Sequence, residues 1–564
     1  MIMQKIYLLL MVSVLFFSSC DLDKVPETSL TDVAFWRTET DVRGACNRMY
    51  DELAGFTYMS NTSNNGGRVY HDTRSDELVQ TSANGVSAGS RTVPTTSYND
   101  WTDPYTRIFT ANNILAKAPN SNLEEAALNR WLAEAYFFRA YYHFLLVKLY
   151  GDVPLVLKAV ADPNDPAIFT GRTPREEVIQ QCYKDLEFAA QWLPTRAKLA
   201  EKDWGRVTRS AALGMIARIG LYEGTFIKYH KLGNAYSAHL KKSIDATELL
   251  MKEGHDLYPD FQKLFTFSGE GPKNLENVFV KVYGPNGAGT TVHGNSREME
   301  NRVSVTRQMI DLFLYSDGLP RDKSPLKISP EKSFDDALAN RDPRLRMTVY
   351  SLGEEAYKGP YIPFVQQHGN GYSLKKGFMM DEWITVYKET VDKAIIRYGE
   401  ILISYAEALY ELNGSISNDQ LNKTVNRLRS RAGFNVKLTN DFVTANGLNM
   451  INEIRRERTV ELLDEGFRYD DIIRWKIAEV VLPTYIIGAK FVDSETTKAR
   501  KDLQMRLTDA NGKLNGQQAY SEADMYVIEV GGDRRFDPER DYLYPIPLNE
   551  VALSKGNITQ NPNW

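Results

Sequence analysis

The chain has 564 residues, 43% of them hydrophobic and 25% charged, with a formal net charge of -5. This is a globular composition, long enough for several domains or one large repeat-built body, and with no long basic run it argues against a nucleic-acid groove. Three cysteines, Cys20, Cys46 and Cys182, are too few and too dispersed for a disulfide framework or a zinc site.

At the start of the chain, Lys5 precedes an apolar run from Ile6 to Phe17 that is too short to span a bilayer as a mature helix. Phe17-Ser18-Ser19-Cys20 follows, a pattern similar to a bacterial lipobox, in which cleavage precedes Cys20 and its thiol carries lipid. The alternative is an ordinary secretory peptide with Cys20 nearby. Acyl chains add about 0.8 kcal/mol per buried methylene, so membrane lipid attached at Cys20 would tether the body durably. The expected division is a signal peptide at 1–19, a lipidated tether at 20–40 and a single domain at 41–564.

Helical spacing then recurs. A first amphipathic helix is expected over 41–55, with Val42, Cys46, Met49 and Leu53 on one side. Trp101, Tyr105, Ile108, Asn112 and Leu115 keep the same period, so Trp101 reads as core at a helix start, with a ligand platform as its alternative. The strongest helix covers 128–150 and stops at Gly151, with Pro154 beyond. Thr173-Pro174 opens the next as cap and first position, running to Leu193. Pairs are expected at 208–229 with 236–253 and at 395–412 with 418–432, with small residues Ala211, Ala212, Gly214 and Ala217 at crossing points. The fold class is all-α: about four tetratricopeptide-like helix pairs in a right-handed helical-repeat scaffold, with long irregular insertions and a few short strands. Scaffold is assigned to 41–280 and 395–480, and loop-rich insertions to 56–99, 283–388 and 484–547, the last with a strand-like piece at 525–530.

Loops placed by a rigid scaffold usually carry binding. Two insertions combine aromatic rings with amide or guanidinium donors, the equipment for stacking on a pyranose and bonding its hydroxyls. The candidates are Tyr70, Arg74, Tyr98, Asn99 and Trp101 in the first, and Tyr283, His293, Asn295, Arg297 and Asn301 in the second.

The stretch from Ile451 to Lys476 spaces Glu453, Glu457, Glu461 and Glu465 four apart, among Arg455, Arg456 and Arg458, with a break at Gly466. Such a stripe suits either acid/base chemistry or an ion-pair lattice. Arginine neighbours keep carboxylates ionised and poor as general acids, which favours the lattice. The seven histidines show no metal-ligand spacing, and neither a G-x-S-x-G elbow nor a P-loop is present. No cofactor is implied; a structural calcium ion is compatible with the sequence but not indicated, since Asp509-x-Asn511-Gly512 lacks the closing Glu of a calcium loop and reads as a turn.

Taken in order, several stretches resemble the SusD/RagB family of nutrient-uptake lipoproteins. They are the lipobox with its DLD-x-x-P tail, AEAYFFRAYYHFLLVKLYGDVPLV from Ala133, TPREEV from Thr173 and GRVTRSAALGMIARIGLYEG from Gly205. NLENVFV from Asn274, DPRL from Asp342, RYGEILISYAEALYELNG from Arg397, VNRLRSRAG from Val425, the Ile451–Lys476 stretch, LYPIPLNEV and QNPNW complete the set. The resemblance implies an outward-facing outer-membrane lipoprotein that binds an oligosaccharide and passes it to a TonB-dependent SusC-like transporter. It implies a binding module and no enzyme. Peptide capture by the same type of complex, or a helical-repeat adhesion protein, are the alternatives.

Overall fold

The computed structural model describes residues 35–53, 71–80, 83–96, 99–160, 165–284, 292–301, 303–357, 359–363, 370–386, 388–496, 506–514 and 520–564. Cys20, the 1–19 segment and most of the tether lie outside them, as do Tyr70 and Tyr98.

The first helix, α1 (Glu39–Asp51), is set by a capping box in which Thr38 and Asp41 satisfy each other's backbone donors, and it buries Val42, Cys46 and Met49. It packs on α2 (Asn99–Lys117) and α3 (Glu125–Tyr150), which pack on each other. Then come α4 (Arg175–Trp192), α5 (Arg209–His230) and α6 (Tyr236–Leu250), each against its predecessor. The expected Thr173 cap is not used. Thr173 instead bridges to Val153, and Asp152 Oδ1 accepts the Arg175 N–H at 2.8 Å. After an irregular middle holding the short α7 (Asn295–Asn301), α8 (Tyr398–Asn413) packs against α6 and α5. The short α9 (Asn418–Lys423) and α10 (Val425–Arg431) follow, where the sequence suggests one helix; Thr424, at φ -126° and ψ -96°, divides them. Finally α11 (Met450–Glu461) packs on α8 and α12 (Arg468–Arg474) on α5. No helix among the described residues is long and apolar enough to cross a membrane.

The helices interlock through small residues and arginine forks. Ala211, Ala212 and Ala217 are fully buried. A Cβ on Gly220 would sit 2.6 Å from His239 O, and one on Gly224 would sit 2.6 Å from Leu240 Cγ, so glycine lets α5 and α6 approach this closely. Across successive helices, buried carboxylates take paired guanidinium hydrogen bonds. Arg139 of α3 holds Asp185 of α4 at 2.7 and 2.8 Å and Asn112 of α2 at 3.1 Å. Arg175 joins α4 to Glu223 of α5, Arg218 joins α5 to Glu400 of α8, and Arg474 joins α12 to Glu407 of α8, all at 2.6–2.7 Å. Forked pairs combine charge with fixed geometry, so they set register as well as proximity.

Strands are few and short. The segment at Ile395, expected as helix, is instead β-structure. Of the ladders, β1 (Leu78–Val79) pairs antiparallel with β3 (Ser304–Val305), and β2 (Asn277–Lys281) with β4 (Lys393–Arg397). The strand-like piece near 525 is β7 (Met525–Glu529), central between β5 (Ile486–Lys490) and β6 (Arg506–Leu507). Asp509 makes the expected turn, its Oδ1 accepting the N–H groups of Asn511 and Lys513 at 2.9 and 2.8 Å.

Candidate ligand-binding cleft

The glutamate stripe is the floor on which the loop regions rest. Helix α11 ends at Glu461, so only three of the four glutamates are on it, and Glu465 lies in the turn before α12. Arg397, at the end of β4, reaches Glu461 and Glu276 through Nη1 at 2.7 and 2.8 Å and holds both Glu465 oxygens at 2.6 and 2.7 Å. Arg344 adds Glu457 and Glu461, Arg429 adds Glu457, and Arg431 adds Glu276 and Glu461. Burial would raise Glu465, but Arg397 and Lys376 outweigh it and hold its carboxyl down to about 2. Permanently ionised groups of this kind are fasteners.

Above this floor lies a small cleft, with a cavity volume of about 40 Å³. It is walled by the 264–270 loop, by Asn277 and Val280 of β2, by Lys393, Ala394 and Arg397 of β4, by Asn295, and by Lys376, Asp464 and Glu465. Phe265 is its half-buried aromatic, with the Lys376 ammonium 4.4 Å and the Arg397 guanidinium 5.7 Å from the ring centre. Glu270 and Asp392 supply carboxylates, joined where Asp392 N–H donates to Glu270 Oε1 at 2.7 Å. Burial, with Asp392 and Glu382 nearby, pushes the Glu270 carboxyl up to about 7. Asn295, 1% exposed, presents a side-chain carbonyl oxygen that meets no donor among the described residues. Phe267, just along the same loop, is 43% exposed.

Of the second candidate group, four members converge. The Tyr283 ring stands edge-on to the His293 imidazole at 4.7 Å, and both are buried. Tyr283 N–H donates to Asp392 Oδ1 at 3.0 Å, and Asn295 N–H to His293 Nδ1 at 3.2 Å. Arg297 lies 3.9 Å over the half-buried Trp383 ring, whose Nε1 donates to Glu300 at 2.6 Å. The backbone of Asn301 closes α7; its side chain is outside the described residues. Of the four, Asn295 alone lines the cleft; Tyr283 and His293 stand behind the wall and present no open ring face.

The first group is placed differently. Asn99 begins α2, and Trp101 is buried with its ring 4.9 Å edge-on to Tyr150, in the core as its spacing allowed. Arg74 donates to Asp100 at 2.8 Å and lies 5.6 Å over Tyr544. Its neighbours clamp the turn after α11. Asp72 accepts the N–H groups of Gly466 and Arg468 at 2.6 and 3.2 Å, Glu77 accepts that of Asp464 at 2.7 Å, and Asp76 takes the Arg468 fork at 2.7 and 2.9 Å. This part of the first insertion is structural.

Sequence reasoning missed Phe265, Glu270, Lys376 and Asp392, none of which carried a local signal. Among the described residues, His293, Glu382 and Glu389 are the group of His, Cys, Asp or Glu donors that converges closely enough to hold a metal ion.

The motifs that carry the resemblance are the same residues that make the forks: Arg139, Arg175, Arg218, Glu276, Arg344, Arg397, Glu400, Arg429 and Arg431. The sequence model of the SusD family matches residues 279–564, and one described as "Starch-binding associating with outer membrane" matches residues 22–221. SusD-like protein P2 of Formosa agariphila is 27% identical over the whole of both chains. Among solved structures, a SusD-like carbohydrate binding protein from Bacteroides fragilis superposes with a TM-score of 0.75 at 24% identity, covering 92% of this chain and 99% of its own. Surface glycan-binding protein A from Bacteroides thetaiotaomicron, in complex with laminarihexaose, does so with a TM-score of 0.62 at 18% identity, covering 93% and 99%. A family match over half the chain, and a helical framework shared nearly end to end with these structures, agree: this chain belongs to the SusD family.

Proposed function

We propose that the protein is a cell-surface lipoprotein, anchored through Cys20 with 41–564 as its single domain, that captures an oligosaccharide and delivers it to a TonB-dependent transporter. The observation that carries the capture step is the cleft beside Asn295. A sugar needs an apolar ring face together with acceptors and donors for its hydroxyls, and Phe265, Glu270, Asp392, Lys376 and the unpartnered Asn295 carbonyl offer both around one space. Relatives solved with or named for glycans, and the outer-membrane association in the family description, support the same reading. It is a binding module: the carboxylates of the glutamate stripe are pinned by arginine, and the carboxyls that burial raises at the cleft, Glu270, Asp392 and Asp464, serve as hydroxyl partners.

Calorimetry against a panel of gluco- and other oligosaccharides tests this. Asn295→Ala and Phe265→Ala are each expected to weaken binding about 10-fold, which is about 1.4 kcal/mol, with unchanged circular dichroism. Silence across the panel would remove the glycan reading, and tight binding indifferent to both variants would move the site elsewhere. Release of reducing ends abolished by Glu270→Gln would replace capture by hydrolysis.

A further inference from the structure

We infer that His293, Glu382 and Glu389 bind one divalent transition cation, of the zinc or manganese type, in the wall behind the cleft. Two segments meet there in a short antiparallel bridge, His293 N–H donating to Glu389 O at 3.0 Å and Glu389 N–H to His293 O at 3.1 Å. The bridge places His293 Nδ1 3.6 Å from Glu389 Oε2, and a Glu382 carboxylate oxygen completes a set whose members all lie within 4.8 Å of one another. All three residues are buried, His293 and Glu389 completely.

The imidazole is oriented as metal-bound histidines are. Its Nε2 lies 2.9 Å from the Val391 carbonyl oxygen, which can only accept, so Nε2 carries the hydrogen and Nδ1 the lone pair. The Tyr283 ring holds the imidazole plane from the side. Nδ1 therefore faces a carboxylate oxygen, acceptor to acceptor, where a cation relieves the conflict. A tetrahedral centre with bonds of about 2.0–2.2 Å sets its ligands about 3.3–3.5 Å apart; His293 Nδ1 and Glu389 Oε2 stand at 3.6 Å, and the Glu382 oxygen lies within 4.8 Å of both.

The donors already have backbone partners. Nδ1 receives Asn295 N–H at 3.2 Å, Glu389 receives Ser296 and Arg297 N–H at 2.8 and 3.2 Å, and Glu382 receives Thr390 and Val391 N–H at 2.5 and 3.3 Å. Glu389 Oε2 keeps a second lone pair, and Glu382, whose Oε2 already takes both N–H groups, offers Oε1, which meets only the Thr390 hydroxyl at 3.4 Å. Nδ1 alone therefore exchanges an N–H hydrogen bond, a long one, for the cation. Imidazole with two carboxylates selects zinc or manganese over calcium and magnesium, which favour all-oxygen cages. Bound there, the ion would pin the segment bearing Asn295 to the one bearing Asp392 and Lys393, fixing the width of the cleft.

The protein, stripped with chelator and dialysed, is titrated with zinc, manganese or calcium chloride, with occupancy read by mass spectrometry and Tm by scanning fluorimetry. About one equivalent of zinc or manganese should be retained, with a Tm higher by several degrees. His293→Gln and Glu389→Gln should abolish retention while matching the stripped parent in Tm, and cobalt should give a ligand-field spectrum that both variants lose. Substoichiometric retention overturns the site, as do occupancy unchanged in both variants and preference for calcium. Because no sugar enters this titration, its failure leaves the glycan reading standing.

Discussion

At Arg397 one guanidinium is held by Glu276, Glu461 and Glu465 and by the Glu461 carbonyl at 2.8 Å, all out of water. Removing it leaves three carboxylates facing one another, so Arg397→Met should cost about 3–5 kcal/mol in urea denaturation; a loss below about 1 kcal/mol would show that the other arginines suffice. Gly399 is part of the same arrangement. A Cβ there would lie 2.1 Å from Arg397 Nη1 and 2.9 Å from Glu276 Oε1, and neither can retreat without breaking the lattice. Gly399→Ala should therefore lower Tm despite alanine's better helix propensity. The stripe of glutamates was legible from its four-residue spacing, but its partners were not. Arg455 and Arg458 pair with Glu411 and Asp471, only Arg456 pairs within the stripe, with Glu453, and Arg344, Arg397, Arg429 and Arg431 come from elsewhere in the chain. Phe265 and Asp392 were not legible either, because nothing local distinguishes a cleft wall from any other loop until the fold sets them opposite each other.

At the scale of elements, the turn from α11 to α12 is where fastener and cleft meet. Asp464 and Glu465 line the cleft while Arg397 holds Glu465 from below. The depressed Glu465 carboxyl stabilises the folded state above its ordinary value of 4.5, and that contribution, on the order of 3 kcal/mol, is lost as pH falls from there toward about 2. Glu407, also held down to about 2, adds to it in the same direction. Thermal melts should accordingly show Tm falling steeply as pH drops below about 4; a flat profile down to pH 3 would contradict the ion-pair account. The long helices were readable from apolar period and stop signals such as Gly151. The stretch at Ile395 was not: an apolar run of this length suits strand or helix, and the pairing of β4 with β2 decides it. The α9–α10 break at Thr424 had no proline or glycine to announce it.

At the scale of the molecule, distant parts of the chain are laced together. Tyr544 N–H donates to Leu149 O at 2.7 Å, Leu548 N–H to Pro94 O at 2.9 Å, and Asn561 Nδ2 to the carbonyls of Tyr150 and Tyr544 at 3.0 and 2.8 Å. Asn561→Ala would take the amide donor from the Tyr544 carbonyl, leave the Tyr150 carbonyl to Arg172 alone and remove one of the acceptors of Arg172. A loss of about 1–2 kcal/mol is therefore expected in denaturant melts; no change would mean that water substitutes for the amide. The architecture as a class was visible in sequence, since helix periodicity and the ordered motifs span the chain. The lacing was not, because hydrogen bonds of this kind leave no pattern in the residues that make them.

That lacing has a temporal side. Tyr150 and Asn561 are separated by 411 positions, so α3 emerges from synthesis long before its clasp exists. Contacts of such span are slow to form, so the early helices, which pack on one another, can assemble first, and the clasp at Tyr150 is added only when Asn561 arrives.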